Sequence, residues 1–167
     1  MTQSEFEELE EMPVIIRRLA EGLNDEEARR KPAADAFSVV ENVCHLRDIE
    51  VDGYAERIKR MLSEEEPFLP DLNGAQLAVE RRYNEQELSA ALDAFAAARE
   101  GNLLILKGLT PDQLARRGNF EQSGAITLSR LLEMMREHDA AHLDELRALR
   151  RTLDRVPGSS GVASGQR

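Results

Sequence analysis

The sequence has few of the features that hold secreted or membrane proteins together. Its 167 residues include one cysteine, Cys44, and no tryptophan, so a framework of internal disulfides is excluded. No apolar run approaches the roughly 20 residues that span a bilayer. Residues 1–11 are acidic and lack the basic and then apolar layout of a secretory signal. The sequence therefore predicts a cytoplasmic protein that does not enter the membrane.

Positive charge is also scarce. Lysine and arginine total 22 against 32 aspartate and glutamate residues, and the formal net charge is −10. An acidic chain repels the phosphate groups of nucleic acids and of anionic membranes, so neither is an expected partner. A chain of this length most simply forms one domain with a substantial core. β-Branched residues are sparse, while alanine, leucine, glutamate and arginine abound, and this composition favours helix.

Apolar residues recur at helical spacing in four long segments. Pro13 should break or kink the first helix, because proline lacks an N–H and clashes with the preceding turn. Ser38 and Glu41 have the spacing of a capping box that begins the second helix, and Thr127 caps the fourth. The four predicted helices cover residues 4–23, 39–62, 88–109 and 128–153.

The segments between these helices contain most of the prolines and polar residues. We expect short helical turns near residues 24–31, 76–82 and 110–114, a polar loop at 118–125, and no convincing strand. The fold class is therefore all-α, a four-helix bundle with short extra helical turns in the connections. We assign residues 1–153 to this domain and interpret residues 154–167, which are rich in glycine and serine, as a disordered tail.

All three histidines lie on or beside apolar helix faces. His138 and His142 fill a gap in the apolar stripe of the last helix and lie one turn apart on one face, the spacing at which two imidazoles can bind one ion. His45 lies on the flank of the second helix's stripe. If the three meet, they form a site with an open coordination position, which is typical of catalytic zinc. The alternative is that each histidine is satisfied separately in the core or lies at the surface.

Two aspartates lie close to these histidines along the helices. Asp48 is one turn from His45, and Asp139 is nearly one turn from His142. Either could act as a base toward a water molecule on the metal or could orient an imidazole. Solvation is the third alternative, and we expect it for Asp139.

A pair of opposite charges falls on the apolar face of the second helix. Glu50 and Arg57 are seven residues apart, which places them about 20° apart around an α-helix. We interpret both as lining a pocket that leads to the metal, where the planar fork of Arg57 would contact a polar or anionic substrate. The alternative is that this end of the helix is solvated.

Two segments resemble motifs of the DinB/YfiT-like superfamily. Residues 37–50, Phe-Ser-Val-Val-Glu-Asn-Val-Cys-His-Leu-Arg-Asp-Ile-Glu, resemble the pattern Trp-Ser-x-x-Glu-x-x-x-His-Leu-x-Asp-x-Glu, with Phe37 where tryptophan is usual. Residues 124–143 resemble the closing Gly-x-x-Thr-Leu and His-Asp-x-x-His-Leu patterns. The resemblance covers nearly the whole chain up to about Leu153.

The resemblance implies a four-helix bundle, a homodimer, and a divalent metal, often zinc or nickel, held by His45, His138 and His142. Some relatives are transferases or isomerases that use low-molecular-weight thiols, and others are described as metal-dependent hydrolases. By this analogy we expect an enzyme of the thiol S-transferase or isomerase type that acts on a small molecule together with such a thiol. The alternatives are a hydrolase that uses a metal-activated water and a metal-binding bundle without catalytic activity.

Overall fold

The computed structural model describes residues 3–155 and the side chains of residues 5–155. A π-helical segment, Ile49–Ala55, joins the third helix to the fourth, and a 3₁₀ turn, Tyr83–Glu85, precedes the sixth. The α-helices of the described chain are α1 (Gln3–Ala20), α2 (Asp25–Arg29), α3 (Val39–Asp48), α4 (Glu56–Ser63), α5 (Gly74–Glu80), α6 (Leu88–Lys107), α7 (Pro111–Leu114) and α8 (Leu128–Leu153).

Four long helical segments form a bundle, as the sequence predicted. These are α1, the continuous segment from α3 through α4, α6 and α8. Helix α6 packs against α1 and α3, and α8 also packs against α1 and α3, so the four close into a ring. Within residues 3–155, no helix combines the length and the apolar character that a membrane span requires.

The core consists of two apolar clusters that are stacked along the bundle. One contains Val43, Phe95 and Leu146, and the other contains Met61, Leu131 and Met135. Burying each such side chain contributes about 1.5–3 kcal/mol. Helix α8 contributes to both clusters, and the clusters are separated along it by the turn that carries His138 and His142.

The helix starts follow the capping residues. Ser38 and Glu41 form the predicted capping box at α3, in which the Ser38 hydroxyl accepts from the Glu41 N–H and the Glu41 carboxylate accepts from the Ser38 N–H. The Thr127 hydroxyl accepts from the Arg130 N–H at 3.1 Å and caps α8. These caps satisfy N–H groups that a helix leaves unpaired at its first turn.

The prediction that Pro13 breaks the first helix is wrong, because α1 continues through it, and the alternative that the proline kinks the helix stays a prediction. Proline leaves the carbonyl four residues earlier, that of Leu9, without its helical partner. The Leu9 oxygen instead accepts a hydrogen bond of 3.0 Å from Arg99 Nη1, which reaches across from α6. A buried arginine therefore replaces the donor that the proline lacks.

No strand was predicted, and that prediction is wrong, as is the predicted loop at 118–125 over most of its length. Strands β1 (Phe68–Leu69), β2 (Arg117–Phe120) and β3 (Gly124–Thr127) form a sheet in that order, with β1 parallel to β2 and β2 antiparallel to β3. Two of the four residues of β2, Gly118 and Asn119, belong to types that are depleted in strands. A Cβ at residue 118 would lie 2.8 Å from Leu69 Cδ1, so glycine lets β2 approach Leu69 without moving that side chain.

The predicted second helix is helical over its expected length, but it is not a uniform α-helix. The π-helical segment Ile49–Ala55 has wider turns than an α-helix. A position around the helix axis that is calculated with 3.6 residues per turn is therefore wrong for every residue that follows this segment. Glu50 faces α6 and Arg57 faces the sheet end of the bundle.

Helix α8 ends at Leu153, and the assignment of residues 1–153 to one domain stays a prediction. The predicted tail, residues 154–167, lies outside the described residues from residue 156 onward.

Candidate metal centre

The three histidines meet between α3 and α8. His45 is on α3, and His138 and His142 are on α8. One ring nitrogen of each lies within 4.8 Å of one ring nitrogen of the others, and the ring centroids are 4.5–5.2 Å apart. The sequence spacing of four residues in α8 puts two rings on one face, and the packing of α3 against α8 supplies the third.

The ring nitrogens fit a divalent ion. His45 Nε2 and His138 Nε2 are 3.1 Å apart, close to the roughly 3.3 Å that two nitrogens adopt around a tetrahedral zinc. Two lone pairs at this distance repel each other unless a proton or a cation lies between them. The Nδ1 atoms of both rings are buried and have no hydrogen-bond partner among the described residues.

The protonation state of the cluster suits a metal ligand. Burial, followed by the charge of His142, lowers the pKa of His45 to about 4. Burial and the other two imidazoles lower the pKa of His138 to about 2. Burial also lowers the pKa of His142. These shifts favour the neutral form of all three rings, in which each keeps a nitrogen lone pair for an ion.

Asn42 orients His142. Its amide nitrogen donates to the Ser38 carbonyl at 3.1 Å, which leaves its oxygen to accept from His142 Nδ1 at 2.7 Å. A ring that donates through Nδ1 has its lone pair on Nε2. Asn42 was not singled out from the sequence, although its position three residues before His45 places it on the same helix face.

Gly74, the first residue of α5, lies directly beside the His45 ring. A Cβ at this position would lie 2.5 Å from His45 Cε1 and 2.7 Å from Nδ1, which is closer than side chains tolerate. The backbone of residue 74 therefore fixes where the His45 imidazole lies.

Replacing Gly74 with alanine should displace the His45 ring and weaken the binding of a divalent ion by about 10–100-fold, the usual effect of losing support for a ligand. Competition titration with a chromogenic zinc chelator measures the affinity. Gly101→Ala is the matched control, because it lies in α6 with nothing within 4 Å of the added methyl. Equal zinc affinities for the two variants would show that Gly74 has no such role.

The two aspartates near the histidines are used elsewhere. Asp48 accepts hydrogen bonds from Arg47, Arg81 and Tyr83 at 2.6–2.7 Å. No described hydrogen bond joins it to His45, so it does not orient that ring.

Asp139 was expected to be solvated, and this expectation is wrong. Its side chain is 2 % exposed, and both carboxylate oxygens accept from Arg99, at 2.7 and 2.9 Å. Asp139 therefore faces the interior of the bundle, where Arg99 reaches it from α6.

Glu50 also belongs to this buried network. Arg99 donates to its Oε1 at 2.7 Å, and Asn102 donates to its Oε2 at 2.7 Å. The prediction that Glu50 lines a pocket beside the histidines is wrong, because it is absent from the lining of the cavity there. Glu50 instead faces α6, from which Arg99 and Asn102 donate to it.

A cavity of about 470 Å³ opens beside His45 and His138. Arg57 lies in its lining, together with polar residues that the sequence analysis missed. Asp71 is the clearest of these, and it follows Pro70 in a segment that has no helical or strand pattern to predict its direction. The remaining lining residues are Ile49, Tyr54, Leu72, Phe120, Ser123, Arg130, Met134 and Glu137.

A second cleft of about 490 Å³ includes His142 in its lining. It is largely apolar, with Phe37, Ala75 and Leu149 among its walls, and it shares no lining residue with the cavity beside His45 and His138. The three-histidine cluster therefore borders two separate openings.

The fold and the site together correspond to a known class of helical bundle. The sequence model of the DinB superfamily matches residues 8–146, and the chain belongs to this superfamily.

A protein of Oceanobacillus iheyensis named "Putative metal-dependent hydrolase OB0782" is 22% identical over 142 residues, which cover 85% of this chain and 81% of that protein. The solved structure of YfiT from Bacillus subtilis, described as "a probable metal-dependent hydrolase with an unusual four-helix bundle topology", superposes with a TM-score of 0.83. That match covers 92% of this chain and 90% of YfiT at 21% sequence identity, and it shows a shared fold.

Proposed function

We propose that this protein is a metal-dependent hydrolase of a small molecule, with a divalent ion held by His45, His138 and His142. The observation that carries the proposal is the approach of neutral imidazole nitrogens, 3.1 Å apart, next to a cavity of about 470 Å³. An ion on three imidazoles with an open position would polarise the substrate and lower the pKa of a water molecule. Imidazole ligands suit zinc and nickel, and we propose one of these as the ion.

The hydrogen-bond partners of the nearby carboxylates narrow the choice of the residue that acts as general base. Asp48 and Asp139, the two candidates from the sequence, are held by arginines, and Glu137 accepts hydrogen bonds from Arg130. Asp71 lies in the same cavity as His45 and is 39 % exposed. We assign to Asp71 the task of accepting a proton from the attacking water.

The comparisons support hydrolysis more than thiol transfer, since both relatives carry hydrolase in their descriptions. Cys44 is poorly suited to act as a nucleophile, because burial raises its pKa to about 11 and its thiol contacts the Tyr83 carbonyl. The first alternative to hydrolysis is transfer to an added low-molecular-weight thiol, which the same assay can measure. The second alternative is a metal-binding bundle without catalytic activity.

The test is a panel of chromogenic esters and anilides, with and without a thiol, on zinc-loaded and chelator-treated protein. We expect hydrolysis that needs the ion and no thiol, and a fall in kcat of about 10²-fold in Asp71→Asn, at the lower end for loss of a general base. Asp112→Asn, an exposed change on α7, is the control. Product formation that requires a thiol, or that survives metal removal, would contradict the proposal.

The homodimer implied by the family resemblance stays a prediction. Light scattering should give twice the mass of one 18.8 kDa chain, and the mass of a single chain would show the prediction to be wrong.

A further inference from the structure

We propose that Arg57 is a recognition site for a carboxylate group on the substrate, which would extend from Arg57 along the Tyr54 ring to the three histidines. The inference rests on the proposed hydrolytic function for the identity of the reacting end. It adds the chemical class of the substrate, a small carboxylic acid with an apolar middle.

Arg57 is a buried cation with few partners. Its side chain is 7 % exposed, and arginine is seldom buried so deeply unless its charge is paired. Nη2 donates to the Pro70 carbonyl at 2.9 Å, and the nearest carboxylate oxygen, on Asp71, is 3.5 Å away. Nε and Nη1 make no hydrogen bond to any residue that the structure describes. Part of the planar fork therefore remains available beside the cavity.

Two other arginines show how this chain pairs a guanidinium when it has only a structural task. Arg99 is buried and donates to two carboxylates and a carbonyl. Arg130 lines the same cavity as Arg57, but it is 42 % exposed, and its Nη atoms donate to Glu133 and Glu137. Arg57 has fewer hydrogen-bond partners than the other two arginines. An arginine that binds an anion of the substrate needs such unused donors.

The surroundings of Arg57 suit an organic anion. Its Cζ lies 4.7 Å from the Phe120 ring centroid and 6.0 Å from that of Tyr54. The Tyr54 ring is in turn 6.3 Å from the His138 ring, edge to face. The other apolar walls are Ile49, Leu72 and Met134, and the volume of about 470 Å³ is within the roughly 300–1,000 Å³ of small-molecule sites.

The donors that remain on Arg57 suit a carboxylate. A guanidinium fork matches the two oxygens of a carboxylate with two parallel hydrogen bonds. Asp71, at 3.5 Å from Arg57 and on the rim, occupies this anion position only loosely.

The experiment is isothermal titration calorimetry of the metal-loaded protein with benzoate and with benzamide, which have the same shape and differ in charge. We expect benzoate to bind at least tenfold more tightly. Arg57→Gln should remove this preference, and Arg147→Gln, an exposed change on α8, should keep it. A wild-type protein that does not discriminate, or an Arg57→Gln variant that still prefers benzoate, would overturn the proposal.

A second variant keeps the test open if Arg57→Gln does not fold. Asp71→Asn, on a half-exposed loop, removes the competing carboxylate and should tighten benzoate binding several-fold. An unchanged or weaker affinity would count against the Arg57 site. Chelator-treated wild-type protein should keep its preference for benzoate. Absence of hydrolysis in the companion assay would then refute the hydrolase function but would not contradict the proposed Arg57 site.

Discussion

Replacing Arg99 with methionine is expected to lower the free energy of unfolding by about 3–5 kcal/mol, the usual effect of removing one partner from a buried ion pair. The change would leave Glu50 and Asp139, which are 1 % and 2 % exposed, without their shared cation. It would also leave the Leu9 carbonyl without the donor that compensates for Pro13. Urea denaturation followed by circular dichroism measures the difference.

Two further variants show whether the loss comes from this network. Arg147→Met removes an exposed arginine paired with Asp144 at 3.5 Å, and should change stability by no more than about 1 kcal/mol. Adding Glu50→Gln and Asp139→Asn to Arg99→Met should recover part of the loss, because burial already raises the pKa of both carboxyl groups and neutral amides do not need a cation. A loss in Arg99→Met as small as that in Arg147→Met would show that the network is not essential.

The second large effect concerns the metal. Wild-type protein purified without nickel-affinity chromatography should contain one divalent ion per chain, and the double variant His138→Ala, His142→Ala should contain none. The variant retains one ligand of three, His45, and a single imidazole does not hold an ion through purification. Mass spectrometry of the elements in dialysed protein gives the ratio.

The control for this experiment is the double variant Asp144→Ala, Arg147→Ala, which alters two exposed side chains on the same helix. It should keep the full metal content. Undiminished metal in the histidine variant would mean that the ion lies elsewhere, whereas a loss in both variants would point to a general effect on α8.

Much of this architecture follows from periodicity and capping chemistry. The four long helices were readable because their apolar residues recur every three or four positions, and Ser38, Thr110 and Thr127 cap helices as their side chains allow. The histidines were recognisable as a group because two of them interrupt an otherwise apolar stripe. Each of these features depends on residues that are close in sequence, so it does not change with the contacts that form on folding.

The parts that the sequence did not reveal depend on contacts between distant residues. Pro13 is tolerated because Arg99, on another helix, supplies the missing donor. Glu50 and Arg57 separate because a π-helical segment changes the angle per residue between them, and no residue type announces such a segment. Asp71 reaches the cavity through a loop whose direction is set by the β1–β2 pairing nearby.

Helix α8 supplies two of the three histidines, and this has a consequence for when the site can be loaded in a growing chain. His138 follows His45 by 93 residues, so at about 5–20 residues per second the ribosome needs on the order of 5–20 s to make the second ligand after the first. During that interval the nascent chain contains only one of the three imidazoles. Asp139, which completes the buried network of Glu50 and Arg99, has also not yet been translated. Metal acquisition is therefore expected after translation of α8, onto a bundle that is already closing, and the two openings that the cluster borders are the routes that remain for the ion.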